Sequence, residues 1–183
     1  MISFWGYYRA MWGSKRVSPD SEYMILKVND VLEIDYKCRG YCTIPYHGHP
    51  MGCPNFNNHE QCPPKVKLIK DVFDLNMDLF FIVEEFDLKE HVDRMRIKHP
   101  DWSEFQLKNL LYWQNGVRKD LKLKVKRFME VYKVRFGDDL GYTLLPEAMG
   151  VMVINTTLKL GIPIEKTPVN KVFKIALVGY MKE

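Results

Sequence analysis

The sequence predicts a mixed α/β protein, with a small mixed sheet flanked by helices and a cysteine-rich loop in the N-terminal third. Short segments of alternating apolar and polar residues, together with continuous apolar runs of strand length, indicate strands. Between them, apolar residues recur every three or four positions and indicate helices packed on the sheet. With 183 residues, of which 46% are hydrophobic and 27% charged, the chain suits one domain spanning residues 1–183.

Two strands are predicted at the start of the fold. Residues 23–28 alternate apolar and polar side chains, and residues 31–36 do so again after the turn-prone pair Asn29-Asp30. Glycines, prolines and asparagines then keep residues 38–64 out of regular structure. A loop of this length is uncommon in a compact domain unless it is functional or tied down, so we expect a ligand to hold it.

A helix and a buried strand are predicted next. The helix opens at Pro63-Pro64 and keeps apolar residues at helical spacing up to residue 73. Residues 79–83 are all apolar, which predicts a strand buried on both faces. Glu84 and Glu85 follow it, either as ligand-binding groups at a strand end or as solvated acids.

Two helices are predicted to follow this strand. The first starts after Asp87, a residue type that caps helix N-termini. The second starts after Asp101 and spans residues 101–136 as one long amphipathic helix, because apolar residues recur along it at intervals of three and four. A last helix begins at Pro146, and residues 172–178 form a final apolar strand.

One face of the predicted long helix is cationic. Such a face could follow a nucleic-acid backbone while Tyr112, Trp113 and Tyr132 stack on bases. The alternative is an ordinary amphipathic helix with solvated lysines. A net charge of +4 is too mild to imply a nucleic-acid partner by itself. The residues of the face are Arg118, Lys119, Lys122, Lys126 and Lys133.

All four cysteines of the chain lie in the irregular loop, as Cys38-x3-Cys42-x10-Cys53-x8-Cys62. Four thiolates from one segment can bind a 4Fe-4S iron-sulfur cluster or a tetrahedral zinc ion. Zinc sites usually pair ligands two to four residues apart, and Cys53 and Cys62 do not follow that rule. Both are followed by proline, as in ferredoxin-type sites. The spacing therefore favours iron and sulfur, with these four cysteines as the metal ligands.

Other assignments of the loop stay open. His47, His49 and His59 also lie in it, so three cysteines and one histidine could surround zinc. Reduced thiols without metal, or a disulfide, are further alternatives. The sequence has no apolar run long enough for a membrane span or a secretory signal, so we expect a cytoplasmic protein whose thiols stay reduced. Glu147 is either a proton-handling residue near the metal or a first-turn glutamate that complements a helix N-terminus.

Two blocks of the chain resemble a family of predicted metal-binding proteins of unknown function. The first is the cysteine motif with Cys53-Pro54 and Cys62-Pro63-Pro64. The second is Pro-Glu-Ala-Met-Gly-Val at residues 146–151, which is similar to the family's C-terminal Glu-Ala-x-Gly-Ile/Val block. Family members typically carry a second group of cysteines shortly before that block, and residues 133–145 contain none. The resemblance implies metal binding at a single centre.

Two functions follow from these patterns. One is an iron-sulfur protein whose cluster carries electrons or acts as a Lewis acid. The other is a binding module for nucleic acid or a protein partner, in which zinc holds the loop. The sequence contains no nucleophile-base pair, phosphate loop or dinucleotide fingerprint that would point to a particular reaction.

Overall fold

The fold is a mixed α+β arrangement, as predicted, in a computed structural model that describes residues 24–46, 48–136, 139–165 and 167–182. Its sheet has four strands in the order β1-β2-β4-β3. Every neighbouring pair is antiparallel. The prediction of a mixed sheet is therefore wrong, because side chains alternate along a strand in the same way whatever the direction of its neighbour. The strands are β1 (Met24–Lys27), β2 (Leu79–Asp87), β3 (Leu140–Thr143) and β4 (Lys171–Tyr180).

Helices and turns connect these strands. None of the helices within the described ranges is both long and apolar enough to cross a membrane. Three further segments are 3-10 helices, at Tyr36–Thr43, Leu110–Tyr112 and Pro146–Met149. The α-helices are α1 (Ile69–Val72), α2 (Leu88–Lys98), α3 (Glu104–Leu107), α4 (Gln114–Phe136) and α5 (Val153–Lys159).

The central pair of strands confirms two predictions. β2 contains the apolar run at residues 79–83, all of which are buried, and β4 contains the run at residues 172–178. These two strands pair along their whole length, from Leu79 opposite Gly179 to Asp87 opposite Lys171. β3 was not predicted, because its four residues include Gly141 and show no clear alternation.

The second N-terminal strand, predicted at residues 31–36, does not form. The amides of Val31 and Leu32 both donate to the carbonyl of Val28, at 3.0 and 2.7 Å, and this turn ends β1 without a hairpin. The Asn29 side chain instead accepts a hydrogen bond from the amide of Leu79 at 2.9 Å. The Asn29 side chain therefore connects the turn after β1 to the start of β2.

Local capping also changes two of the predicted helices. Asp87 caps α2 as predicted, accepting from the amide of Glu90 at 2.7 Å. The single helix predicted over residues 101–136 is wrong: Ser103 caps α3, and α4 begins only at Gln114. Between them Asn109 accepts a hydrogen bond from the amide of Leu111 at 3.0 Å, and such side-chain bonds compete with helix continuation.

The remaining two predicted helices are shorter than expected. Residues 63–66 form turns, so the helix predicted from Pro63-Pro64 is reduced to α1. The helix predicted from Pro146 is divided into a 3-10 helix and α5, because Gly150 takes a φ of 102° between them. A β-carbon on Gly150 would lie 2.4 Å from the Tyr36 ring. Because Gly150 has no side chain, the 3-10 helix Tyr36–Thr43, which contains Cys38, can pack closely against it.

The two faces of the sheet carry separate cores. On one face, alternate residues of β2 and β4 such as Phe80 and Ala176 pack with Leu121 and Val125 of α4. On the other face the packing residues come mostly from turns and short helices, and several belong to the segments around the cysteine loop. Buried members of this second core include Ile69, Phe73, Phe81, Met149, Val151, Ile175 and Leu177.

Candidate metal centre

The four predicted ligands lie on three short segments of the chain. Cys38 and Cys42 belong to the 3-10 helix Tyr36–Thr43, which Asp35 caps by accepting a hydrogen bond from the amide of Lys37 at 2.9 Å. Cys53 and Cys62 each lie beside a turn. All four are free thiols: Cys38 is buried and the other three are partly buried.

Backbone contacts bring the first two segments together. The amide of Cys53 donates to the carbonyl of Cys42 at 2.7 Å. Next to it, Gly52 has a φ of 81°, and a β-carbon there would lie 2.5 Å from that same carbonyl oxygen. A side chain at residue 52 would therefore push the segments apart. Glycine is required here for both its conformation and its lack of volume.

Turns connect the third segment to the second. The amide of Phe56 donates to the carbonyl of Cys53 at 3.0 Å, and the amide of Asn57 donates to the carbonyl of Pro63 at 2.8 Å. The amide of Cys62 donates to the carbonyl of His59 at 3.0 Å. These bonds fold residues 53–63 back on themselves and bring Cys62 towards Cys53.

Arg39 connects the two ends of the cysteine loop through hydrogen bonds. Its Nη2 donates to the carbonyls of Pro64 and Val66, at 3.1 and 2.7 Å. Its Nε is buried and has no hydrogen-bond partner among the described residues. Arg39 also acts on the thiol of Cys38, whose pKa its positive charge lowers against stronger opposing effects. A buried donor without a partner therefore lies close to the first predicted ligand.

The thiols are close enough to influence one another. Burial raises the pKa of Cys42, and the neighbouring Cys53 and Cys62 raise it further. Burial and then Cys53 raise the pKa of Cys62. Burial raises the pKa of Cys38 most, and Asp35, Glu147 and Cys42 add to that effect. The four sulfur atoms thus share one partly desolvated region in which negative charge is costly unless a cation is present.

Glu147 lies against this region. The Cys38 thiol lies 3.4 Å from the carbonyl oxygen of Glu147 and 3.9 Å from that of Val151. The Glu147 side chain is reached by solvent, yet the protein around it desolvates the carboxyl and raises its pKa. The two blocks that carried the family resemblance are therefore in contact.

The other candidate ligands are placed differently. His47 lies outside the described residues. His49 packs on Tyr46 with ring centroids 4.7 Å apart, and His59 Nδ1 accepts a hydrogen bond from the amide of Gln61 at 3.2 Å. Among the residues that the structure describes, no three histidine, cysteine, aspartate or glutamate side chains are arranged to hold a single metal ion.

The acidic pair after the apolar run forms ion pairs with lysines. Glu84 pairs with Lys124 of α4 at 2.8 Å, where both side chains are largely buried. Glu85 pairs with Lys171 at the opposite end of the β2–β4 pairing from Gly179. The structure thus gives both acids a lysine partner, with Glu84 facing α4.

The cationic face of α4 is exposed, but two of the predicted stacking rings are not. Trp113 is buried and stacks on Phe86 with centroids 4.8 Å apart. Tyr132 is buried, and its hydroxyl bonds to Asp78 at 3.3 Å. The prediction that these rings stack on bases is therefore wrong, because both belong to the core, and nucleic-acid binding stays a prediction. The exposed cations are Arg118, Lys119, Lys122 and Lys126.

Sequence reasoning missed Arg39 as a residue of this region. Arg39 directly follows the first cysteine, and a cation beside a predicted ligand was an available signal.

Comparisons of the chain with protein-family models, with curated proteins and with solved structures give no match. The family resemblance therefore stays a prediction carried by the two blocks themselves.

Proposed function

We propose that this protein binds one 4Fe-4S cluster through Cys38, Cys42, Cys53 and Cys62. The observation that carries the proposal is the folding of the loop, in which the backbones of Cys42 and Cys53 are hydrogen-bonded at 2.7 Å and the thiols lie near one another. Cys42 raises the pKa of Cys38, Cys53 and Cys62 raise that of Cys42, and Cys53 raises that of Cys62. The raised pKa values keep Cys38, Cys42 and Cys62 as neutral thiols, and a bound cationic centre would stabilise the thiolate forms that bind metal.

The residues around the thiols fit such a cluster. The amide of Cys53 and the carbonyl of Cys42 are bonded, so these two ligands keep a fixed separation before any metal binds. The buried Nε of Arg39 needs an acceptor, and the sulfur atoms of a cluster accept hydrogen bonds from such donors. When bound, a cluster of this kind supplies electron transfer or Lewis-acid chemistry.

The spacing of the cysteines along the chain supports a cluster over a single zinc ion. Zinc sites usually pair ligands two to four residues apart, and Cys53 and Cys62 do not follow that rule. Four thiolates around one zinc ion, with bonds of about 2.3 Å, must bring their sulfur atoms to within about 4 Å of one another. A four-iron cluster binds each thiolate at a separate corner, so its ligands are further apart.

Metal analysis of protein purified without oxygen tests the proposal. We expect brown protein with about four iron and four sulfide ions per chain and absorption in the visible range. Cys42→Ser and Cys53→Ser should each reduce the iron content. His59→Gln is the matched control within the loop and should keep it, since His59 already accepts a hydrogen bond from Gln61.

Two outcomes would contradict the cluster. One is colourless protein that contains one zinc ion per chain and no sulfide. The other is Cys53→Ser protein that folds and retains its full complement of iron, since that residue could not then be a ligand.

A further inference from the structure

A groove of about 550 Å³ lies beside the edge strand β3 and opens to solvent. All four residues of β3 contribute to its lining, from Leu140 to Thr143. Small-molecule sites in proteins typically have volumes of roughly 300–1,000 Å³, so the groove has the volume of a ligand-binding site. The end of the cysteine loop and the residues directly after it supply Glu60, Lys65, Val66 and Lys67.

The groove lies at the β3 edge of the sheet, between the two cores, and its lining is mostly apolar. Met129 of α4 packs with the core on one face of the sheet, and Met149 belongs to the core on the other face. Met181, which follows β4, is 42% exposed and also lines the groove, and a β-carbon on Gly141 would overlap its side chain. Methionine side chains are flexible and polarisable, so they adapt to ligands of different shapes. The three methionines therefore suit the apolar part of a ligand.

The part of the groove next to the cysteine loop is positively charged. Lys65 forms an ion pair with Glu60 at 2.9 Å, so these two charges compensate each other. Lys67 is exposed, and no described residue forms an ion pair or a side-chain hydrogen bond with it. The described lining residues therefore have one net positive charge, and the ammonium group of Lys67 is available to an anion.

Hydrogen bonds hold this part of the groove in place. The carbonyl of Val66, between the two lysines, accepts from Arg39 at 2.7 Å, and the amide of Val66 donates to the carbonyl of Cys62 at 3.1 Å. The backbone that carries Lys65 and Lys67 is therefore fixed to the cysteine loop. A ligand that contacts Val66 would lie beside the segment that contains Cys62.

We propose that the groove binds a small organic acid, with its apolar body against the methionines and its carboxylate beside Lys67. The apolar lining alone would suit any hydrophobic ligand, and the lysine alone would suit any anion. Their combination in one groove favours a molecule that has both parts. A carboxylate beside Lys67 forms a charge-assisted hydrogen bond, for which no described residue competes. The site is independent of the proposed cluster, because no cysteine is among the residues that the structure places in the lining.

Three matched probes test this site. Octanoate has both parts of the proposed ligand, 1-octanol lacks the charge, and acetate lacks the apolar body. Each probe is titrated into the purified protein at constant ionic strength, and the heat of binding is measured. We expect saturable binding of octanoate, weaker binding of 1-octanol, and no saturable binding of acetate over the same concentrations.

Three variants separate the two parts of the site. Lys67→Gln should weaken octanoate binding about threefold to fivefold, as expected for an exposed ion pair, and leave 1-octanol binding unchanged. Met181→Asp puts a charge in the apolar lining and should weaken the binding of both probes about tenfold or more. Lys119→Gln removes an exposed charge of α4 that is not among the lining residues, and it should change neither affinity.

The proposal is overturned if octanoate does not bind saturably, or if 1-octanol binds as tightly as octanoate. It is also overturned if either Lys67→Gln or Met181→Asp protein, shown to be folded by thermal unfolding, binds octanoate as tightly as the wild type. If octanoate does not bind and sedimentation shows a dimer that Met181→Asp dissociates, a second copy of the chain covers the groove instead.

Iron content is determined on the same samples, so the two proposals fail separately. Iron-containing protein that does not bind octanoate overturns the groove site alone. Metal-free protein whose octanoate binding depends on Lys67 overturns the cluster alone.

Discussion

Gly52 lies where two segments of the cysteine loop touch, and its conformation leaves no alternative to glycine. Its φ of 81° is in the left-handed region, and its missing side chain lets the carbonyl of Cys42 approach. Gly48 has a similar φ of 77°, but nothing lies within 4 Å of a β-carbon there. Both glycines have a positive φ, but only Gly52 has neighbouring atoms that a β-carbon would clash with. The two positions therefore form a matched pair for experiment.

We expect Gly52→Ala to destabilise the protein by more than about 2 kcal/mol, because a left-handed alanine costs about 1–2 kcal/mol and the clash with Cys42 adds to it. Gly48→Ala should cost only the conformational part, about 1 kcal/mol. Chemical unfolding of both variants measures the difference. Equal losses in the two variants would contradict the close contact.

His91 is a buried histidine on α2, away from the cysteines. It packs on Phe86 with ring centroids 5.6 Å apart, and its Nε2 has no hydrogen-bond partner among the described residues. Burial lowers the pKa of His91 below its usual 6.5, and the charge of Arg94 lowers it further. The folded protein therefore holds this side chain in its neutral form.

Stability should consequently fall as the pH decreases below about 6.5, because the unfolded chain then binds a proton that the folded protein resists. Above that pH both states are neutral and the contribution of His91 is constant. We expect His91→Phe to flatten this dependence between pH 7 and pH 5. Urea unfolding at several pH values measures it, and an unchanged slope in the variant would argue against a depressed pKa.

Among the secondary-structure elements, the strand pair β2–β4 could be predicted because each strand carries a run of buried apolar residues. Helix α2 could be predicted because Asp87 caps it. The division of residues 101–136 could not, since it depends on Asn109 and on Trp113, whose ring stacks on Phe86 of a strand distant in sequence. Local periodicity contains no information about such a tertiary contact.

The cysteine loop shows the same limit of prediction from local sequence. The clustering of four cysteines predicted that they belong to one metal site. The structure gives all four as free thiols, one buried and three partly buried, and the metal site stays a prediction. Arg39 was not anticipated. It donates to the carbonyls of Pro64 and Val66, which lie 25 and 27 residues further along the chain, and local sequence patterns contain no information about such contacts.

A largely buried ion pair between Lys124 and Glu84 helps to hold helix α4 on the sheet, beside the apolar packing of Leu121 and Val125. Removal of the lysine alone would leave the carboxylate desolvated, so we expect Lys124→Met to cost about 3–5 kcal/mol. The double change Lys124→Met with Glu84→Leu should recover much of that loss. Lys65→Met is the exposed control, and its loss should stay under about 1 kcal/mol, since Glu60 is 83% exposed.

Equilibrium unfolding of the wild type, Lys124→Met, Glu84→Leu and the double variant completes this double-mutant cycle. If Lys124→Met costs no more than Lys65→Met, the pair is solvated and does not fasten α4 to β2.

For the protein as a unit, the two cores on opposite faces of the sheet predict an uneven response to metal removal. The core under α4 is formed by regular elements, whereas the other contains many residues from turns. A ligand that binds only the folded chain adds to its stability, so loss of the proposed cluster should lower the melting temperature. Calorimetry before and after chelation measures this change.

Hydrogen exchange then identifies where the loss occurs. Amides of residues 38–64 should lose protection in the metal-free protein, while those of Leu121 and Val125 in α4 should keep theirs. Uniform loss across both regions would mean that the two cores unfold together.

The hydrogen bonds of Arg39 to Pro64 and Val66 have a consequence for how an inorganic centre would be acquired. They join the two ends of a long irregular segment through protein contacts alone, so these ends are already connected before a metal would bind. The loop then loses much of its conformational entropy during folding. Less of that entropy cost would therefore reduce the affinity for a metal centre.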